Sequence, residues 1–456
     1  MVVHQSNVIY RLSETHASMM ANYRFMDNEK VSIADLIGKV VSPTVAACAD
    51  LDILIISDST EISMDSCEDH ITDWADLGVL SDNKTPGFHV HASMALDADS
   101  GHGLGLSDLI LWNRVPSSAS KKEKAALLRK RSFKEKEIYK WQLGIEKSLE
   151  VACQAREKTF IFDQGANFSY LWHEVEELDA HFLIRGSRDW KTAQEGIRLF
   201  EHIDSYALAG KYELELRELK RHNYSKNKVQ KRKARTAEIA VRFGPVRLKP
   251  STRVRPRKTK ELDLFFVDAK ELKESLPEGE QAVHWTLLTT HQIESYEDAC
   301  KMIRWYEKRW MIEQLFRIIK RKGFDIESTE LTQTQAIFKQ SILTLEAGFR
   351  VLQLLLAREK DPKNTQSIDR GFNEQEQNCL KALCKKFEGK TDKLKNPFPD
   401  TQLAFASWVI ARLGGWKGYQ SQAPPGPITF KRGLDKFRQI FQGWIIFANE
   451  VDMYNT

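Results

Sequence analysis

Two short apolar runs, each followed by an aspartate, constrain this chain more than any other feature. Residues 51–56 (LDILII) lead into Ser57-Asp58-Ser59-Thr60, and residues 159–162 (TFIF) end at Asp163. Runs this short, rich in β-branched and aromatic side chains and bounded by turn formers, suit buried strands better than helices. Residues 87–97 and 103–114 flank the turn-rich Asp97-Ala98-Asp99-Ser100-Gly101 and predict a hairpin, and 182–185 predict a further strand. A long charged stretch of helical spacing, 121–155, lies among them. Strands alternating with helices predict an α/β sheet. A carboxylate at the carboxyl end of a central strand sits where ligands of such sheets bind. An aspartate after a strand is most often a turn former or helix cap, so neither Asp58 nor Asp163 stands out alone. Two on neighbouring strands, joined by an acid from a helix, would form a site for a pair of hard divalent cations.

Charge is strongly localised. The chain of 456 residues has a net charge of only +5. Residues 217–260 carry 17 Lys and Arg against Glu218 and Glu238, a local +15 that leaves −10 for the remainder. Such a block reads either as a solvated loop or as a surface facing a polyanion, with nucleic acid the natural candidate. Lys231, Arg232, Lys233 and Arg235 are its densest part. Short β-prone pieces at 239–243 and 262–267, with prolines at 245, 250 and 256, predict a basic β-rich insertion over 191–283. Beyond 288 the pattern turns helical almost to the end, interrupted by Pro424, Pro425 and Pro427. Six scattered cysteines without a C-x-x-C pair argue against a disulfide scaffold or zinc ribbon and suit a reducing compartment. No apolar run is long enough for a membrane span.

The missing acid lies in residues 301–322, KMIRWYEKRWMIEQLFRIIKRK. At about 100° per residue from Tyr306, Arg309 falls near ~300°, Glu313 near ~340° and Lys320 near ~320°. Ile312, Leu315, Phe316 and Ile319 form a separate apolar stripe. On periodicity alone the polar stripe is the solvated face of one amphipathic helix. A Tyr and an Arg flanking a Glu are also suited to holding a phosphate beside a metal.

Tyr306-x-x-Arg309-x-x-x-Glu313-x-x-x-x-x-x-Lys320 resembles, gap for gap, the Tyr-Arg-Glu-Lys signature of cut-and-paste DDE DNA transposases of the insertion-sequence-four group. Other segments are similar to that family as well. Tyr23-Arg24-Phe25 precedes Asp58-Ser59-Thr60, Asp163 ends a strand, and residues 182–187 (FLIRGS) carry Arg185. Trp285 stands 21 residues before Tyr306, and residues 410–416 (IARLGGW) match a C-terminal landmark. The similarity runs over residues 19–447.

The resemblance implies an RNase H-like α/β core interrupted by the β-rich insertion, with helical N- and C-terminal regions. The implied domains are an end-recognition region over 1–45, core halves over 46–190 and 284–357 around the insertion, and a dimerisation domain over 358–456. Asp58, Asp163 and Glu313 would be the catalytic ligands of two Mg²⁺ ions, with Mn²⁺ as a substitute. Arg24, Arg185, Trp285, Tyr306, Arg309, Arg317 and Lys320 would contact DNA, Trp285 by stacking on an extruded base. The reaction would be end nicking, hairpin formation and strand transfer. A homodimer would act on transposon-end and target duplexes, in a bacterial cytoplasm and at the nucleoid when DNA-bound. Two departures stand out. Gln164-Gly165-Ala166-Asn167 replaces further acids after Asp163, and only 22 residues precede Tyr23, where the family has a longer segment. The second departure carries an alternative expectation: a shortened, non-transposing inhibitor that pairs with a longer form.

Overall fold

The computed structural model describes residues 9, 13, 15–166, 169–216, 218–223, 228–249, 260–321, 324–358, 366–419 and 422–454. Its first half contains α1 (His16–Asp27), α2 (Ile33–Ala47), β1 (Asp52–Ser63), β2 (Gly87–Asp97), β3 (Gly103–Trp112), β4 (Glu157–Phe162), α3 (Ser169–Glu177) and β5 (His181–Gly186). There follow β6 (Gly210–Leu216), β7 (Arg235–Leu248), β8 (Leu262–Glu271), β9 (His284–Thr289), α4 (Tyr296–Glu307) and α5 (Trp310–Arg321). Helices α6 (Thr334–Ala357), α7 (Glu374–Phe387), α8 (Leu403–Leu413) and α9 (Pro427–Tyr454) complete the chain. Two compact units result: Met1–Lys130 with Glu146–Arg156 and Trp310–Thr456, and Arg131–Ile145 with Glu157–Arg309.

In the first unit β3, β2 and β1 form an antiparallel ribbon, as the hairpin pattern predicts. β1 is longer than expected. The strand does not stop at Ile56 but runs to Ser63, so Asp58 lies within it, opposite Ala92, rather than at its end. The cause is non-local. β2 pairs with the polar half of β1, where the Ser57 and Ser93 hydroxyls meet at 2.7 Å and Ser59 Oγ meets His91 Nδ1 at 2.9 Å. Helix α5 packs on β1 and on the 24-residue α6, which also contacts α1, α2, α8 and α9. The expected apolar stripe Ile312, Leu315, Phe316 and Ile319 is buried there, each side chain contributing about 1.5–3 kcal/mol. Gly348 permits the close approach of α5 and α6, since a Cβ there would lie 2.6 Å from Ile319 Cγ2.

The single helix expected over 301–322 is two helices. α4 ends at Glu307, and α5 starts at Trp310. Lys308 N–H bonds to the Trp305 carbonyl and Arg309 N–H to that of Tyr306, both at 3.1 Å. These three-residue bonds tighten the last turn and end α4 without glycine or proline. Tyr306, Arg309, Glu313 and Lys320 therefore do not form one continuous helical stripe.

The second unit is built on a mixed six-stranded sheet, ordered β4-β5-β9-β8-β7-β6. Only β4 and β5 run parallel; the remaining pairs are antiparallel. The basic β-rich segment thus extends this sheet by pairing onto β9. A separate ribbon pairs Leu219–Asn223 with Lys228–Arg232. Residues 217, 224–227 and 250–259 of the basic block lie outside the described residues. Helix α3 packs on β5, and α4 packs on β5, β7 and β8. Phe160, Phe162, Trp172, Phe182 and Phe266 are fully buried in this unit. The chain is mixed α/β, with sheet strands flanked by helices, in agreement with the expected fold class.

Candidate active site

In the second unit, side chains gather where β4 ends. Asp163 follows β4 directly, and its Oδ1 accepts the Gly165 amide at 2.7 Å. A Cβ on Gly165 would stand 2.8 Å from that same oxygen, so the loop suits glycine here. With the Gln164 amide oxygen turned toward Arg185, it accepts from Nε at 3.2 Å and Nη1 at 3.3 Å. Arg185, on β5, also donates through Nη2 to the His284 carbonyl at 3.0 Å. The guanidinium is thereby held between the residue after Asp163 and the start of β9. Asn167, the last residue of the departure after Asp163, lies outside the described residues.

Trp285 is next on β9, half-buried and opposite Ala269. Its ring meets Tyr306 edge-on, with centroids 5.3 Å apart, and the Arg309 guanidinium carbon lies 6.0 Å from the Tyr306 ring centroid. Tyr306 is only 5% exposed. Burial pushes its phenol above the ordinary 10.0; Arg309 and Arg185 oppose the rise, while Asp163 adds to it. The hydroxyl therefore remains a proton donor at neutral pH. On either side of Trp285, His284 Nε2 and Thr286 Oγ1 bond to Oδ1 of buried Asp268, at 2.7 and 3.0 Å. Asp163, Arg185, Trp285, Tyr306 and Arg309 thus converge: two cations, a phenol and an indole around a carboxylate.

The first unit holds the other expected residues. Asp58 Oδ1 accepts the Ser59 amide at 2.7 Å, the same kind of backbone anchor that Asp163 has. Glu313 is half-buried in the first turn of α5, on the helix that packs against β1. Lys320 donates to the Glu61 carbonyl of β1 and lies 3.4 Å from Glu327 Oε1. Glu327 also accepts the Ser63 amide at 3.3 Å. Arg317 is exposed on α5, and Arg24 is exposed on α1 beside Tyr23, whose hydroxyl bonds Glu330 at 3.3 Å.

Glu327, Asp268 and the Gln164–Arg185 contact were not foreseen as parts of the site. Glu327 follows Lys320 at helical spacing, but residues between them do not all remain helical. Asp268 would have been visible only with the register of β8 against β9 known. Several described members of the basic block already have partners. Arg235 bonds buried Glu271 and Glu280, Arg247 pairs with Asp263, Lys260 with Glu176, and Arg242 donates to the Tyr206 carbonyl. Arg235, within the densest part of the block, is thus held by two carboxylates of its own unit.

Among the described residues, no helix is long and apolar enough to cross a membrane. The chain is similar to the piggyBac transposase in a cryo-EM synaptic complex with hairpin DNA, at 9% identity and a TM-score of 0.30. That similarity covers 76% of this chain and 62% of the other, so it spans less than two-thirds of that relative. Residues 144–347, just under half of the chain, match the family model of the transposase DDE domain. The matched span contains Asp163, Arg185, Trp285, Tyr306, Arg309, Glu313, Arg317 and Lys320, and leaves Arg24 and Asp58 outside. Residues 144–347 are thus similar to a transposase DDE domain.

Proposed function

We propose that the chain is a metal-dependent DNA transposase that nicks transposon ends, closes them as hairpins and joins them to target DNA. What carries the reading is the gathering of Arg185, Trp285, Tyr306 and Arg309 around Asp163, inside the span that matches the DDE domain. Asp58, Asp163 and Glu313 would hold the metal, because three carboxylates are the oxygen donors that Mg²⁺ prefers, with Mn²⁺ as a substitute. When bound, the ions would supply charge stabilisation for the attacking and leaving oxygens of phosphoryl transfer.

The side chains have separable roles. The Asp58 and Asp163 carboxylates are oriented by the Ser59 and Gly165 amides. Arg185 and Arg309 present guanidinium groups to DNA phosphates, for which their planar forks are suited. Trp285 offers an indole face to a base drawn out of the stack at the hairpin turn. Buried Tyr306 steadies Trp285 by its ring and keeps a hydroxyl to donate. Arg24, Arg317 and Lys320 extend the cationic surface of the same reading. Its partners are transposon-end and target duplexes, held by a homodimer through the C-terminal helices.

The deciding experiment measures cleavage of end-labelled duplex, carrying the sequences that flank the gene, with Mg²⁺ or Mn²⁺. Asp58→Ala, Asp163→Ala and Glu313→Ala should each abolish strand cleavage while leaving the circular dichroism spectrum and DNA binding in place. Near-normal cleavage by any one of them removes that residue from the metal site and sinks the triad.

A further inference from the structure

We propose that Glu157, His181 and His291 form a zinc site at the edge of the second unit's sheet opposite to Asp163. β4 enters the sheet at Glu157 and leaves it before Asp163, so the two carboxylates are about 20 Å apart along an extended strand. The parallel β5 begins at His181, and antiparallel β9 delivers His291 two residues after its end. Three strands therefore bring these residues to one edge. One ligand atom from each, a nitrogen from either imidazole and a carboxylate oxygen, lies within 4.8 Å of the other two. The imidazole planes stack at 21° with centroids 4.1 Å apart, and the Trp305 ring meets His291 edge-on at 5.3 Å.

The surrounding hydroxyls are placed as supports for metal ligands. His291 Nε2 lies 2.8 Å from Oγ1 of Thr159, a side chain only 1% exposed, while Nδ1 is 3.8 Å from Glu157 Oε1. His181 Nδ1 lies 3.1 Å from Thr290 Oγ1, which is itself fixed by the Phe182 amide at 3.2 Å. Engaging one ring nitrogen by a hydroxyl fixes ring orientation and tautomer, the usual arrangement behind a metal-bound histidine. Zn–N distances of about 2.0–2.1 Å require ligand atoms roughly 3.3 Å apart, so closure on the ion asks for about 1.5 Å of side-chain adjustment. A two-histidine, one-carboxylate set selects a borderline ion such as Zn²⁺, whereas the all-carboxylate set selects Mg²⁺. A bound Zn²⁺ would fasten β4, β5 and β9 together, the strands that lead to Asp163, Arg185 and Trp285.

The test is calorimetric titration of the metal-stripped full chain with Zn²⁺ in millimolar Mg²⁺, alongside thermal unfolding. One Zn²⁺ should bind per chain and raise the unfolding temperature. Asp163→Ala should bind Zn²⁺ as before, whereas the double variant His181→Ala, His291→Ala should lose at least 100-fold in affinity. Should that variant fold poorly, Glu157→Gln and Thr159→Val keep both rings and decide the matter. Thr159→Val should weaken binding roughly 10- to 100-fold. Absence of stoichiometric binding, or equal binding by a folded double variant or by both single variants, overturns the site. Loss of DNA cleavage in the Asp163 variant with zinc binding retained separates this proposal from the transposase reading.

Discussion

Trp285 meets the ring of Tyr306 edge-on, with centroids 5.3 Å apart and planes inclined at 67°. Edge-to-face pairs hold an indole in one orientation, and Tyr306 is buried firmly enough to act as the fixed partner. Base–aromatic stacking is worth about 1–3 kcal/mol, or roughly 5- to 150-fold in rate if realised at the hairpin step. The first nick needs no extruded base. Trp285→Ala should therefore nick nearly normally and accumulate nicked ends, with Trp285→Phe intermediate. Tyr306→Leu should reproduce part of that defect by loosening the indole. A denaturing gel of end-labelled DNA over time reads both steps. Equal loss of nicking and hairpin formation in a folded variant would refute the stacking role.

Gln164 opens the stretch after Asp163 in which the resembled family commonly carries further acids, and its amide oxygen, when turned toward Arg185, accepts from the guanidinium. A neutral acceptor orients that cation without cancelling it. Gln164→Glu would pair with Arg185 and compete with a DNA phosphate. The variant should bind duplex more weakly, and the logarithmic salt slope should fall by about one, as for one lost phosphate contact. Gln164→Ala should keep the wild-type slope. Fluorescence anisotropy across a salt series measures both, and an unchanged slope for Gln164→Glu would take Arg185 out of the DNA interface.

The basic block divides into two classes by structure. Arg235 is tied to Glu271, whose side chain is fully buried, and to Glu280 at 3.0 Å. Removing one partner of a buried ion pair leaves the other charge uncompensated and costs about 3–5 kcal/mol. Arg235→Ala should thus lower the unfolding temperature sharply. Neutralising exposed Lys233 should instead leave stability nearly unchanged and flatten the salt dependence of DNA binding. Reversal of these two outcomes would show that the block's charges are assigned to the wrong roles.

Much of the strand framework is legible from local pattern. β4, β5 and the β2–β3 pair announce themselves through β-branched runs and the turn residues between them. The polar half of β1 does not: Ser57-Asp58-Ser59-Thr60 reads locally as a turn, and becomes strand because β2 supplies partners for it. The division of the Tyr306–Lys320 segment is equally hidden, since 308 and 309 carry neither glycine nor proline. Projection at a fixed angle per residue carried the helix across a turn that bonds three residues back. The pairing of Arg235 depends on acids 36 and 45 positions further on, beyond any window of local periodicity. Strand ends carrying Asp163 and Arg185 could be placed from sequence, whereas the Gln164 contact between them required the fold.

Asp108 is buried on β3 opposite Ser93. Burial pushes its carboxyl from 3.8 up to about 7, against the opposing pull of the Leu109 amide and the Lys147 charge. A carboxyl whose folded value is raised favours the folded state while it is protonated. Its contribution is complete below about 3.8 and is lost as pH rises through about 7. A shift of this size corresponds to a few kcal/mol, so roughly that much stability should disappear between pH 4 and 8. Asp108→Asn removes the titration while keeping the side chain's shape. The variant should therefore match the wild type near pH 4 and exceed it at pH 8, by several degrees in unfolding temperature. Paired thermal melts at several pH values isolate this residue from the other titrations, which the two proteins share. A stability difference that stays constant across the range would mean that Asp108 ionises in the folded chain as readily as in the unfolded one.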